Sequence, residues 1–336
     1  MSTRRFIRDN YEPSTEASLA NHPRYLSATF KDVDHFGESI TPSGLQLTQL
    51  SRGLFQGELA AWVINPALRI HRYKTNQSIQ VIGDKFPSRL IFAVLLNQPS
   101  PPTFSHDKLL VENAIFGFDM QRPVHLITSP EGQDQCHIEV SRALFEHYAA
   151  LANRYDLDDT FLHRNMVVST ADCFSFLRSY LRQLFQSGTD LSWSHSPHAA
   201  TLLEQDLVPL LIDALPSPHQ SEAPRPYRRA PLVVTAKTYI MAHLDQPLTL
   251  ADICQAVSAS QRSLQYGFQE MLGMGPMAFV KVQRLHGIRR ALLHADPKPE
   301  TVAQIAHQWG FWSLGHFSKD YKQLFGESPS QTLQRR

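Results

Sequence analysis

The stretch "LPSPHQSEAPRPYRRAP", Leu215 to Pro231, most constrains what this chain can fold into. Its five prolines remove backbone donors and clash with the preceding turn, so no helix or inner strand runs through it. In water such a segment is a semi-rigid, solvated linker. The 336 residues are long enough for a separate core on each side. The expected division is therefore a domain over 1–222, a linker over 223–231 and a second domain over 232–336, with the break near Glu222.

Charge divides at the same place. Residues 225–336 carry 14 Lys+Arg against 7 Asp+Glu, leaving 18 against 24 in residues 1–224. A basic domain on a mildly acidic one points to a polyanionic partner for the C-terminal part. No run approaches the roughly 18 apolar residues that a membrane span needs. The start, "MSTRRFIRDNYEPS", is basic without the apolar stretch of a secretory signal. Cys136, Cys173 and Cys254 are odd in number and lack CxxC spacing, which argues against a zinc site or a disulfide framework. These features lead to the expectation of a cytoplasmic protein without a membrane segment.

Upstream of the linker, residues 40–140 read as short strands. "LQLTQLS" (Leu45–Ser51) alternates at its start, while "LAAWVI" (Leu59–Ile64) and "RLIFAVLLN" (Arg89–Asn97) are apolar runs of strand length. Asn65-Pro66, Gly83-Asp84 and "NQPSPP" punctuate them, a pattern that favours a small barrel or sandwich. From Glu139 the period changes to 3 and 4. Val140, Leu144, Tyr148, Leu151 and Tyr155 read as one helix, Phe174 to Phe185 as a second, and Leu203 to Leu211 as a third. Such stripes either lie on their own domain or form a seam between subunits.

Downstream, two segments repeat one plan. Thr249 is an N-cap candidate for a short helix holding Ile253 and Val257, and a second helix opens at Ser260 after Ser258-Ala259. At 100° per residue, Ser260, Phe268, Met271 and Leu272 fall within about 80° of Leu264. Arg262, Tyr266 and Gln269 point the other way, with Gln265 on the flank. In the second segment Thr301 and Gln304 fit a capping box, and Gly310 permits a left-handed turn. With Phe317 at zero, Leu314, Tyr321, Leu324 and Phe325 share the core side. Gly315, His316, Lys319, Lys322 and Gln323 share the opposite arc, and Trp312 adjoins it. "GPMAFVKVQRLHGIRRALL" between them reads as one connecting helix.

This is the layout of a double helix-turn-helix, whose second helices enter successive major grooves about 34 Å apart. Arg262 and Gln265 suit bidentate contacts to guanine and adenine, and Lys319 suits guanine or phosphate. Gly315 lets backbone approach the duplex, and the helix starts at Thr249 and Thr301 present N–H groups to phosphates.

Residues 232–334 resemble the AraC/XylS transcriptional regulators. Their signature appears as Ala306, Gly310-Phe311, Phe317, Tyr321, Phe325-Gly326 and Pro329, and "WGFWSLGHF" resembles the subgroup of ethanolamine-utilisation and aromatic-degradation activators. The resemblance implies base reading from Arg262, Gln265 and Tyr266 in the first unit. In the second it implies reading from Leu314, Gly315, His316 and Lys319, with Gly315 departing from the side-chain readers usual there. It also implies a cupin-like N-terminal barrel that senses an effector, followed by dimerising helices. The expected fold class is thus α+β, a cupin-like barrel or sandwich with helices, followed by an all-α DNA-binding domain.

Within that barrel, Trp62, Ile64, Phe92, Val94, Phe116 and Phe118 are the candidate effector-lining residues, with core packing as the alternative. Arg69 and Arg89 read as solvated exterior in preference to partners for an acidic effector. His71 stands alone, and His35, His106, His125 and His137 lack metal-cupin spacing, so no metal, cofactor or catalytic residue is assigned. The reading is a DNA-binding transcriptional activator controlled by a small molecule, with double-stranded DNA, RNA polymerase and a second copy of the chain as partners. Its rivals are a ligand-independent regulator whose barrel only dimerises or touches polymerase, and an enzyme fused to a DNA-binding domain.

Overall fold

The computed structural model describes residues 23–40, 45–85, 89–97, 103–106, 108–186, 196, 198–217, 227–295 and 301–334. The expected break at Glu222 and the first half of the expected linker lie outside them.

The N-terminal half is built on two antiparallel sheets. The larger has the order β1 (Arg24–Phe30), β3 (Gly57–Asn65), β4 (Leu68–Thr75), β11 (Gln133–Ser141), β6 (Arg89–Leu95), β9 (Ala114–Phe116) and β12 (Met166–Val168). The smaller has the order β2 (Gln46–Gln49), β5 (Ile79–Gly83), β10 (Val124–Ile127), β7 (Phe104–Ser105) and β8 (Lys108–Leu109). They remain separate sheets, so the architecture is mixed helix and sheet without a closed barrel.

Side-chain parity divides the large sheet into two faces. On β3, β4, β6 and β11 the even-numbered residues, among them Trp62, Ile70, Phe92 and Ile138, join one apolar cluster. That cluster continues into α2 (Arg142–Leu151), α4 (Ala171–Gln186) and α5 (Ala199–Ala214) through Phe145, Leu177, Leu181, Leu207 and Leu211. Odd-numbered residues face the small sheet. Leu59, Tyr73, Ala93 and Leu95 meet Leu47, Ile79, Val81 and Leu126 there, with Phe36 and Ile40 of α1 (Val33–Ile40).

The helix expected from Val140 to Tyr155 is shorter. Val140 is still strand, paired with Leu90 and Leu68. Ser141 then N-caps α2 by accepting from the Leu144 N–H at 3.3 Å. Leu151 and Tyr155, expected on the apolar stripe, are 66% and 75% exposed. A one-turn helix, α3 (Asp159–Leu162), and strand β12 follow, where the period-3/4 reading placed only helices.

Past the linker, α6 (Ala230–Ala242), α7 (Leu250–Ala256) and α8 (Gln261–Leu272) pack as a first unit around Val233, Ile240, Ile253, Leu264 and Phe268. The connecting helix α9 (Pro276–His294) leads to α10 (Val302–Gln308), α11 (Leu314–Phe325) and α12 (Pro329–Leu333), packed around Leu285, Ile288, Ile305, Phe317 and Tyr321. Gly287 on α9 sets how closely α10 follows: an added Cβ would stand 2.2 Å from the Trp309 ring. Gly310 turns the chain at φ +80°, a conformation that costs a side chain but not glycine.

The halves are docked. Leu50, Phe104 and Ile127, on or beside the small sheet, belong to the same apolar cluster as Val233, Ile240 and Phe268. Among the described residues no helix is long and apolar enough to cross a membrane.

Candidate nucleic-acid interface and ligand cavity

Each helix-turn-helix unit is fixed by local capping. Thr249 Oγ1 accepts from the Asp252 N–H at 3.2 Å, and Asp252 accepts from the Thr249 N–H at 2.8 Å. Asp replaces the usual Glu or Gln of a capping box, yet the reciprocal pair forms in full. The second unit repeats it with Thr301 and Gln304 at 3.2 and 3.0 Å. Ser260 caps α8, and Gly273 and Gly326 end α8 and α11 in the left-handed conformation. Because both ends of α8 and the C-terminal end of α11 are pinned, the rotation of these helices on their cores is set.

That rotation buries Leu264, Phe268, Met271 and Leu272 on α8 and leaves Arg262, Gln265, Tyr266 and Gln269 exposed. The guanidinium of Arg262 lies 5.5 Å from the centre of the Tyr266 ring, which is also flanked by Arg229 at 5.9 Å. Gln265 rests its amide against Gly275. On α11, Phe317, Tyr321, Leu324 and Phe325 face the core, while Gly315, His316, Lys319 and Lys322, with Trp312 in the turn just before the helix, lie on exposed positions. Leu314 was expected on the core side, but it is the first residue of α11 and is 39% exposed. Trp312 is 77% exposed and stacks on His307. Ser313 holds His316 through Oγ to Nδ1 at 3.0 Å. Around Gly315 nothing lies within 4 Å of where a Cβ would stand. Thr249 and Thr301 are exposed at the helix starts.

In the N-terminal half a cavity of about 250 Å³ lies between the two sheets. Of the expected lining residues only Phe116 borders it. Trp62, Ile64, Phe92, Val94 and Phe118 lie on the opposite face of the large sheet, in the core beneath the helices. The physical reason is parity: the large apolar side chains take one alternation of the covered strands, and the cavity takes the other. Arg69 and Arg89, expected outside, line it.

The cavity floor is a polar stripe. Gln133, Gln135, His137 and Glu139 project in turn from β11, beside Arg69, Tyr73 and Thr75 of β4. Glu139 accepts from His71 Nδ1 at 2.8 Å. Burial opposes the Glu139 charge, but His71 overcomes it and brings the carboxyl to about 2. Burial lowers His137 to about 4, so its imidazole is neutral at physiological pH. Lys85 is lowered to about 8, again by burial, and donates to the Asp119 carbonyl at 2.7 Å and to Asn165 Oδ1 at 3.2 Å. "QDQCHIEV" does alternate at period two. With helices covering the apolar face, the polar side is the interior one, the reverse of a half-solvated strand. Among the described residues no group of three or more His, Cys, Asp or Glu is placed to hold a metal ion.

Comparison with known proteins places the C-terminal third. Residues 253–335 match the family described as "Helix-turn-helix domain". The chain is 41% identical over 138 residues to the probable thc operon regulatory protein of Rhodococcus erythropolis, covering 41% of this chain and 42% of that protein. It is 32% identical over 98 residues to the XylDLEGF operon transcriptional activator 3 of Pseudomonas putida, covering 29% and 30%. The chain thus spans less than half the length of these curated relatives. A solved probable AraC family transcriptional regulator from Rhodopseudomonas palustris is 39% identical, with 31% of this chain covering 96% of that one at a TM-score of 0.30. Through this two-unit C-terminal domain, the chain belongs to the AraC/XylS family of transcriptional regulators.

Proposed function

We propose that the chain is a sequence-specific transcriptional regulator that reads double-stranded DNA with α8 and α11 and is controlled by a small molecule bound between the two N-terminal sheets. One observation carries the DNA-binding reading. Both second helices turn apolar residues to their own cores and leave Arg262, Gln265, Tyr266 and Gln269, or Gly315, His316, Lys319 and Lys322 with Trp312 just ahead of them, on the outside. The relatives named above are regulators, so no bond-making or bond-breaking step is assigned. The name of the Pseudomonas relative supports activation, and with it a contact to RNA polymerase.

The cavity supports control by an effector over the ligand-independent reading, because its walls are also the docking elements. Helix α1 contributes Phe36 and Ile40 to the cavity, while Asp34 on the same helix pairs with Arg289 of α9 at 2.9 Å. Strand β10 contributes Val124 and Leu126 to the cavity and Ile127 to the first DNA-binding core. A ligand that shifts either wall shifts the DNA-binding domain with it. The division at residues 222 and 232, a cupin-like ancestry for the sheets and a cytoplasmic setting belong to the same proposal. So does a homodimer seated on the helical face, where Phe176 and Leu202 are exposed.

Genome-wide selection of binding sites with the full chain, followed by footprinting, tests the reading. Two unlike major-groove segments about one turn apart per protomer are expected. Salt-sensitive binding without any recurrent sequence would overturn it.

A further inference from the structure

We propose that the N-terminal half completes the second reading helix: Gln49 and Gly53 cap the C-terminal end of α11 and so position it for base selection in the second DNA segment. The inference rests on the DNA-reading function above and adds positioning residues that lie outside the DNA-binding domain.

An α-helix leaves its last four carbonyls without partners in its own ladder. In α11 these belong to Lys322, Gln323, Leu324 and Phe325. Lys322 is answered locally, by the Gly326 N–H at 2.8 Å. The next two are answered by the other half of the molecule. The Gly53 N–H donates to the Gln323 carbonyl at 3.0 Å, and Gln49 Nε2 donates to that of Leu324 at 2.8 Å. Leu54 covers the same end so closely that a Cβ on Gly326 would meet its side chain. Helix α8 ends on the same kind of left-handed glycine but is held differently. Among the described residues no group of the N-terminal half donates to its last carbonyls, and its neighbour there is Pro130, 3.7 Å from where a Gly273 Cβ would stand.

The two donors are themselves held in place. Gln49 is 1% exposed, and its amide also donates to the Gly53 and Ser51 carbonyls at 2.7 and 2.9 Å, which ties it to the loop over residues 50–56. Its backbone carbonyl accepts from His286 Nε2 of α9 at 3.0 Å, and the His286 ring stands edge-on to Phe325. Ser51 Oγ donates to Gln77 at 2.5 Å and accepts from the Ser78 N–H at 2.8 Å. Asn76 and Gln77 both donate to the Leu54 carbonyl, at 3.0 and 3.3 Å. Gly53 reaches Gln323 at φ +123°, where a side chain would be strained and would meet the Gln77 amide. The loop is thus fixed to the turn between β4 and β5, and the two carbonyls keep their donors only while α11 keeps one place against it. Lys322 belongs to that last turn and Lys319 precedes it by three residues, so the cap bears on side chains that face the duplex.

Hydrogen exchange and base selectivity of the full chain, measured together, test the cap and its consequence. Gln49→Leu keeps much of the volume and removes the donor to Leu324. Exchange at the amides of residues 324–326 should rise about fivefold or more, with the last turn of α8 unchanged. On single-base variants of the wild-type operator, preference should relax about fivefold in the segment read by α11 and hold in the segment read by α8, which Arg262→Ala identifies. Gly53→Ala acts on the loop and leaves the buried amide in place. It should give the same pattern, and it serves as the test if Gln49→Leu folds poorly. Unchanged exchange at residues 324–326 in a folded variant overturns the cap. Raised exchange with unaltered base preference, or affinity lost equally on all sequences, overturns the positioning role and leaves DNA reading by α8 and α11 standing. A wild-type protein without any base preference overturns that reading, while the exchange result still decides the cap.

Discussion

Arg262 carries the sharpest expectation at the scale of single residues. Its guanidinium is exposed and held over the Tyr266 ring, so it is already extended and partly ordered before DNA arrives. A fork in that position reads guanine O6 and N7 with two hydrogen bonds. Arg262→Ala should cost about 1–3 kcal/mol and relax the preference at one base position, read by footprinting on a set of single-base operator variants. Equal loss on every variant would make Arg262 a phosphate anchor instead. Arg262→Lys should restore little of the selectivity, because an ammonium cannot reproduce the fork. Lys322 lies exposed three residues further along α11 than Lys319 and has no ion pair among the described residues. Lys322→Ala should weaken binding on all sequences and lower the slope of log K against log salt by about one. An unchanged slope removes Lys322 from the backbone contacts. Gly315 brings no side chain to the interface, so whatever it contributes comes through close approach of the backbone.

At the scale of elements, the helix ends decide how these residues are presented. Thr301→Ala removes the acceptor for the Gln304 N–H and should lower stability by about 1 kcal/mol, seen as a drop in melting temperature. Gly287→Ala acts by a different route. Its Cβ would meet the Trp309 ring, which packs against the core of the second unit. An overpacking cost of about 1–3 kcal/mol is expected, with weaker DNA binding through the second unit. Unaltered melting would mean that the ring has room to shift. The cap and the turn were legible in the sequence, Thr301 and Gln304 as a spacing and Gly310 as a turn, because they depend on neighbours within a few residues; the Gly287 contact with Trp309 was not, because it joins residues far apart in the chain. The helical faces were legible for the same reason, apart from Ser260, which sits exposed as the N-cap, and Leu314, whose place at the first turn a wheel cannot weigh. The cavity was not. Trp62, Phe92 and Phe118 are large and strand-borne, but which face of a covered strand is core and which is cavity depends on partners far away in sequence. For Arg69 and Arg89 the polar character was read as a sign of solvent, whereas the small sheet encloses them. Val140 looked like the start of a helix because the apolar stripe crosses from strand to helix without a break.

At the scale of the whole molecule, the two halves meet through polar contacts that desolvation makes costly unless each is paired. Arg289, 3% exposed at its side chain, joins Asp32 and Asp34 of the N-terminal half to Glu327 of the second unit. Gln49 donates to the Leu324 carbonyl at 2.8 Å, and His286 lies 3.0 Å from the Gln49 carbonyl. Removing one side of such a cluster leaves the other charges buried and unpaired. Asp32→Asn with Asp34→Asn should therefore release the docking while Arg289 keeps Glu327 within its own domain. The other contact gives docking a pH dependence. Lys237 of α6, whose Nζ lies 2.8 Å from His125 Nε2, is lowered by burial from 10.5 to about 7. The released amine binds more protons than the docked one between about pH 7 and 10.5, so docking strengthens as pH rises through that window. Below about 7 the amine is charged in both states, and the docked state carries the full cost of burying it. His125 is lowered to about 3 by burial and by Lys237, with His106 and Arg122 adding to the same direction. It loosens docking further as pH falls from its ordinary 6.5. Spin labels on β5 and α8 of the full chain report the separation directly. A narrow distance distribution at about pH 9 should broaden by about pH 6, and Lys237→Met should flatten the change above neutrality. If wild type and Lys237→Met broaden alike, the buried amine does not govern how the DNA-binding domain is held.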